Sequence, residues 1–120
     1  MTNAKLSSSW VIKNEKSNAY DKILHFIEKK RMVIVEKNQS TISAKQGSPL
    51  ITRLLGSFLT PAIYLPIITA IELEELEKGT KITVHIREDI GLSVNTKLEY
   101  NYKNFFSVWL DDFKNHLIEP

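Results

Sequence analysis

Three histidines, His25, His85 and His116, and adjacent acids such as Glu88-Asp89 and Asp111-Asp112 are side chains of this 120-residue chain whose types suit metal binding or acid–base chemistry. A zinc site needs three or four converging ligands at about 2 Å. No two of the histidines stand four apart, and no His-Glu-x-x-His pattern occurs. His85 alternates with Thr83 and Arg87 on the polar side of a predicted strand, and His116 lies near a predicted helix end, where a cation is favoured. All three read as surface histidines, and no metal site is expected. The acid pairs fare no better: general acid–base work needs two carboxylates across a pocket, at least one of them with a pKa moved by burial, whereas neighbours in sequence face different ways. The chain has no P-loop, no dinucleotide-binding glycine pattern and no Gly-x-Ser-x-Gly elbow. Nor has it any cysteine, which excludes disulfides, thiolate zinc, iron–sulfur clusters and a cysteine nucleophile. No catalytic residue is assigned, no cofactor is expected, and the reading leans away from an enzyme.

Charge adds one asymmetry. Residues 1–60 carry ten Lys/Arg against four Asp/Glu, and residues 61–120 carry six against ten. An anionic partner on one face could use such a bias, but short charge runs are ordinarily solvated. Nucleic acid is not expected as a partner. Single-strand readers expose aromatics on a basic sheet, whereas the outward strand positions here are Lys81, Thr83, His85, Arg87, Asn95, Lys97 and Glu99.

The elements that must position these groups follow from periodicity. Leu6, Ser8, Trp10 and Ile12 alternate with Ser7, Ser9, Val11 and Lys13 as a first strand. Ser17 or Asn18 caps a helix with an apolar stripe of Tyr20, Ile23, Leu24 and Ile27, and Asp21 falls in its first turn. Lys29, Lys30 and Arg31 suit its C-terminal end. Residues 32–36 and 41–45 flank the polar turn Lys37-Asn38-Gln39-Ser40 as a hairpin. Further strands are expected over 67–74, 81–87 and 94–100, and Phe105, Phe106, Trp109, Leu110, Phe113 and Leu117 mark a closing amphipathic helix over 103–118. The short connections between the last strands require antiparallel pairing. With no linker, repeat or low-complexity tract, residues 1–120 are expected to form one α+β domain. Its architecture is a curved antiparallel sheet of about six strands with the long C-terminal helix across one face.

One segment stands apart. From Leu54 to Ile71 the chain carries no charge, a run at the lower limit for a membrane span of about 17–25 residues. Pro61, Pro66, Gly56 and three hydroxyls count against a transmembrane helix. A helix over 49–59, started by Ser48 and Pro49 and stopped by Pro61, followed by a strand, is the expectation. The first residues lack the apolar core of a signal peptide, so a cytoplasmic location is expected.

The Glu77-Lys78-Gly79-Thr80-Lys81-Ile82-Thr83-Val84 hairpin and the Phe105–Leu117 helix, closing a strand–helix–sheet order, resemble the helix-grip fold of the START/Bet v 1-like (SRPBCC) superfamily. That superfamily usually places two helices between its first two strands, where residues 17–31 hold one. A smaller two-layer relative similar to the TBP-like grip fits the same order. The resemblance implies a fold and no residue roles, since the superfamily shares no catalytic set.

The functional expectation is a non-enzymatic domain that binds an apolar small molecule or lipid between the sheet and Phe105, Trp109 and Phe113. Leu54, Leu55, Phe58 and Tyr64 would line or gate the pocket, and Arg53 and Lys45 would meet an anionic head group. The alternative is an interaction module whose 49–66 segment packs against a second copy, another protein or a membrane surface.

Overall fold

The computed structural model describes residues 5–46, 67–88 and 96–118, with side chains described throughout these ranges except at 96–101. The elements are β1 (Lys5–Ile12), α1 (Lys16–Lys29), β2 (Val33–Lys37), β3 (Thr41–Gln46), β4 (Ile67–Leu76), β5 (Gly79–Glu88) and α2 (Thr96–Ile118). All five strands join one antiparallel sheet in the order β1-β5-β4-β3-β2. The first strand thus pairs with the last, Leu6 opposite Ile86 and Trp10 opposite Ile82.

The alternation read in the sequence sorts residues onto the two faces. Ile42, Ala44, Ile67, Ile71, Leu73, Ile82, Val84 and Ile86 point inward and are buried, in one cluster with Ile23, Phe26 and Ile27 of α1 and Phe106, Trp109, Phe113 and Leu117 of α2. Both helices therefore cover the same face. The turn between β2 and β3 is held by Asn38, whose Oδ1 accepts from the amides of Ser40 and Thr41, both at 2.9 Å. At the hairpin between β4 and β5, Gly79 has φ +148°, and a Cβ there would run into the Ile12 carbonyl oxygen. Only glycine lets β5 begin this close to the end of β1.

α1 ends in a Schellman motif. The Arg31 amide donates to Glu28 O and the Met32 amide to Ile27 O, each at 3.0 Å, and buried Met32 follows as the hydrophobic partner of Ile27. Arg31 takes the left-handed position, φ 57°, which glycine usually fills.

Four expectations are corrected. Among the described residues the sheet has five strands and not six, because Thr96–Tyr100 belongs to α2. Leu98, Tyr100 and Tyr102 fit alternation, but Leu98 and Tyr102 also continue the helical stripe of Phe106, Trp109 and Phe113, and no Gly or Pro interrupts residues 92–119. A short run satisfying both periods takes that of the longer element. α1 starts at Lys16 with Glu15 at its N-cap, and no side chain caps it. Asn18 is instead bonded to Asn14, whose Nδ2 donates to its Oδ1 at 2.6 Å, and this start moves Asp21 beyond the first turn. Finally, the buried stripe of α1 is Ala19, Ile23, Phe26 and Ile27, with Tyr20 and Leu24 at its half-buried margin. No helix among the described residues is long and apolar enough to cross a membrane, and Ile67–Ile71, the end of the uncharged run, is a strand.

Candidate functional site

Two helices on one face of a sheet leave three places where a ligand could sit: the layer between them, the open face, and the end where the turns meet. The layer is the one the sequence singled out. Its helix wall is α2, and the spacing of Phe106, Trp109, Phe113 and Leu117 turns these residues inward, all buried. Phe113 stands edge-on to Trp10 at 5.9 Å between ring centres, stacks on Trp109 at 5.2 Å and meets Phe26 at 5.1 Å. These four rings form one aromatic knot where α1, α2 and the end of β1 meet. Phe105 is half-buried beside this core.

The knot is braced from outside. Lys30 Nζ pairs with Asp112 Oδ2 at 3.0 Å, Lys22 Nζ donates to Leu117 O at 3.3 Å, and Lys114 lies over the Trp10 ring. The ion pair is partly exposed and contributes little, so ring burial holds α2 to α1.

The inner layer contains three polar atoms that its apolar surroundings do not explain. Thr69 Oγ1, Gln46 Oε1 and Trp109 Nε1 are all buried without a hydrogen-bond partner. Register brings the first two to neighbouring strands at one end of the sheet, Thr69 opposite Ala44 and Ile67 opposite Gln46, while Trp109 belongs to the facing helix wall. Glu88, opposite Ile67 in the same row as Gln46, is also buried. The chemistry of these atoms is specific. The indole N–H only donates, the amide oxygen only accepts, and the hydroxyl does either. Neither Thr69 nor Gln46 was among the expected site residues. The available signal was Thr69 itself, a hydroxyl at an inward position of the run Ile67-Ile68-Thr69-Ala70-Ile71.

Of the remaining expected residues, Lys45 lies exposed on the open face of β3, away from the helices. Leu54, Leu55, Phe58, Tyr64 and Arg53 lie outside the described residues, as does the 49–66 segment on which the homodimer and membrane-contact expectations rested.

The histidines distribute unevenly. His25 of α1 and His116 of α2 come side by side, their ring centres 5.6 Å apart. His85 stands on the open face, its Nδ1 2.8 Å from Ser7 Oγ and its Nε2 4.0 Å from Glu72 Oε2. Among the described residues no three His, Asp or Glu side chains converge as metal ligands do. At the turn end, an open cleft of about 1120 Å³ lies between the start of α1 and the β2–β3 and β4–β5 turns. Its rim mixes Lys13, Lys16, Lys37 and Lys78 with Glu15, Asp21, Glu75 and Glu77, so it carries no net sign that would select a charged ligand.

No known family matches the sequence, and no curated protein does. Solved structures do resemble the chain. One is protein MLL2253 from Mesorhizobium loti, with 11% identity over 94% of this chain and 93% of that one and a TM-score of 0.63. Another is ChR145 from Cytophaga hutchinsonii, with 14% identity over 94% and 92% and a TM-score of 0.56. A third is Ara h 8.0201, with 10% identity over 98% and 99% and a TM-score of 0.54. Ara h 8 is a Bet v 1 homologue, and at such identities the likeness is one of fold. The chain thus has a Bet v 1-like α+β fold, built on a five-stranded antiparallel sheet and a C-terminal helix.

Proposed function

We propose that this chain is a non-enzymatic binding domain for an apolar small molecule or lipid held between the inner face of the sheet and α2. The observation that carries the reading is the set of buried polar atoms without partners, Thr69 Oγ1, Gln46 Oε1 and Trp109 Nε1. A buried hydroxyl or amide left unpaired costs about 1–3 kcal/mol, and native interiors seldom tolerate several. A ligand that supplies the missing partners recovers that cost on binding. The donor and acceptor pattern describes it: an apolar body for the isoleucine and aromatic walls, an oxygen to accept from the Trp109 indole, and a hydroxyl to donate to Gln46. Bet v 1-like folds often serve as ligand-binding domains, which supports the same reading.

Two measurements test it. Organic extraction of the purified protein followed by mass spectrometry should release a hydroxyl-bearing apolar compound in stoichiometric amount. The neutral dye N-phenyl-1-naphthylamine should brighten on binding and quench tryptophan emission through Trp109. Absence of both an extracted compound and a dye response up to the dye's solubility would refute the pocket.

A further inference from the structure

The face of the sheet turned away from both helices carries a second pattern, unrelated to the first. Register arranges its outward residues in rows. Lys45, Ile68, Arg87 and Lys5 form one row across four strands, and Ser43, Ala70, His85 and Ser7 form the next. Lys5 and Arg87 are directly opposed, a like-charge pairing that destabilises a sheet when nothing lies between the charges. Neither Lys5 nor Lys45 has a partner among the described residues, and Arg87 spends one donor on the Glu88 carbonyl oxygen at 3.3 Å. In the adjoining row Ser43, Ala70 and Ser7 are short, so the surface sinks beside the His85 ring. A trough of about 420 Å³ opens against Lys5 and Arg87, with Ile68 and Ala70 in its wall and Ser7, Ser43 and His85 beside them. The next row brings Glu72, 4.0 Å from His85 Nε2, and so closes the positive region on that side.

We propose that this trough binds a small phosphomonoester with a hydroxylated carbon skeleton. The phosphate takes charge-assisted hydrogen bonds from Lys5 and Arg87 and relieves their repulsion, with the Ser7 hydroxyl beside it. The skeleton lies over Ile68 and Ala70 and meets the Ser43 hydroxyl and the His85 ring. A dianion suits cations that converge on one row from neighbouring strands. A flat anionic membrane does not suit them, because Glu72 and Glu74 on the same face would be pressed against it.

The test uses glucose 6-phosphate as probe, with glucose, inorganic phosphate and phosphatidylcholine vesicles doped with phosphatidic acid as the other arms. Calorimetry should give a dissociation constant for glucose 6-phosphate below about 1 mM at low salt, weakening as salt screens the charges. Amide shifts should concentrate at Ser7, Ser43 and Ala70. Arg87→Ala and Lys5→Ala, each checked for an unchanged melting temperature, should weaken binding about tenfold, as loss of a charged hydrogen bond does. Lys81→Ala, at the other end of β5, should leave it within about twofold. Thr69→Val should also leave it unchanged, which separates this site from the inner pocket. The proposal is overturned by no binding, by binding of glucose as tight as that of its phosphate, by equal loss in Lys81→Ala, or by vesicle binding without monoester binding. Inorganic phosphate binding as tightly as the monoester means an adventitious ion only, and overturns it too.

Discussion

Thr69→Val tests the inner pocket with almost no change of shape, because valine replaces a hydroxyl by a methyl at the same branched Cβ. Thr69 is fully buried and its Oγ1 has no hydrogen-bond partner, so the substitution removes an unpaired polar group and breaks nothing. Two contributions have the same sign. Relief of the desolvated hydroxyl returns about 1–3 kcal/mol. The added methyl contributes up to about 0.8 kcal/mol of apolar burial. Valine is also at least as well suited to a central strand. The ligand-free variant is therefore expected to be more stable than the wild type by about 1–3 kcal/mol, a rise in melting temperature of about 3–10 °C for a chain of this size. Urea denaturation monitored by tryptophan fluorescence measures it, with an unchanged m-value showing that the native and denatured surfaces are the same. The ligand-loaded variant should show the opposite sign, because the hydroxyl then has its partner: less compound is extracted and the stabilisation by ligand shrinks. A ligand-free Thr69→Val that loses about 1 kcal/mol or more would mean that the hydroxyl is already satisfied. A pocket that seeks a polar partner at Thr69 would then be refuted.

Three further substitutions probe the frame around the proposed pocket. Gly79→Ala should cost about 2 kcal/mol or more in a denaturant melt, since the new Cβ meets the Ile12 carbonyl at a backbone angle that alanine disfavours. Arg31→Gly should raise stability by about 0.5–1 kcal/mol by relieving the left-handed residue of the α1 Schellman motif, and a fall in melting temperature would contradict the cap geometry. Phe113→Ala opens the aromatic knot among Trp10, Phe26 and Trp109 and should cost about 3–5 kcal/mol, with near-ultraviolet circular dichroism reporting the loss of ring packing.

Much of this molecule follows from local patterns. Alternation marks β1, β4 and β5, the turn chemistry of Asn38 and Gly79 marks both hairpins, and the spacing of Phe106, Trp109 and Phe113 marks α2. These signals are legible because each concerns residues within a turn or two of one another, where the backbone period alone decides the face. Residues 96–100 escaped for the same reason: a five-residue window satisfies both periods, and only continuity with the helix behind it resolves the choice. The candidate site was legible on its apolar side only. Phe105, Trp109 and Phe113 announce an inward wall, but nothing in their spacing says that Trp109 would bury an unpaired N–H, or that Thr69 and Gln46 would do the same on neighbouring strands.

Meetings between residues far apart in sequence are set by the tertiary fold. β1 pairs with β5, so Lys5 comes to face Arg87, and Ser7 to face His85 from 78 residues away in sequence. His25 and His116, read as separate surface histidines, become neighbours. Periodicity tells a residue which face it takes and carries no information about which strand will lie alongside. That choice is made when the strands assemble and both helices must bury their stripes on one face. Local pattern and composition carry the α+β class, the helix-grip resemblance and the exclusion of cysteine chemistry. Pairing of distant strands sets where polar and charged groups face one another, and both proposed sites depend on it.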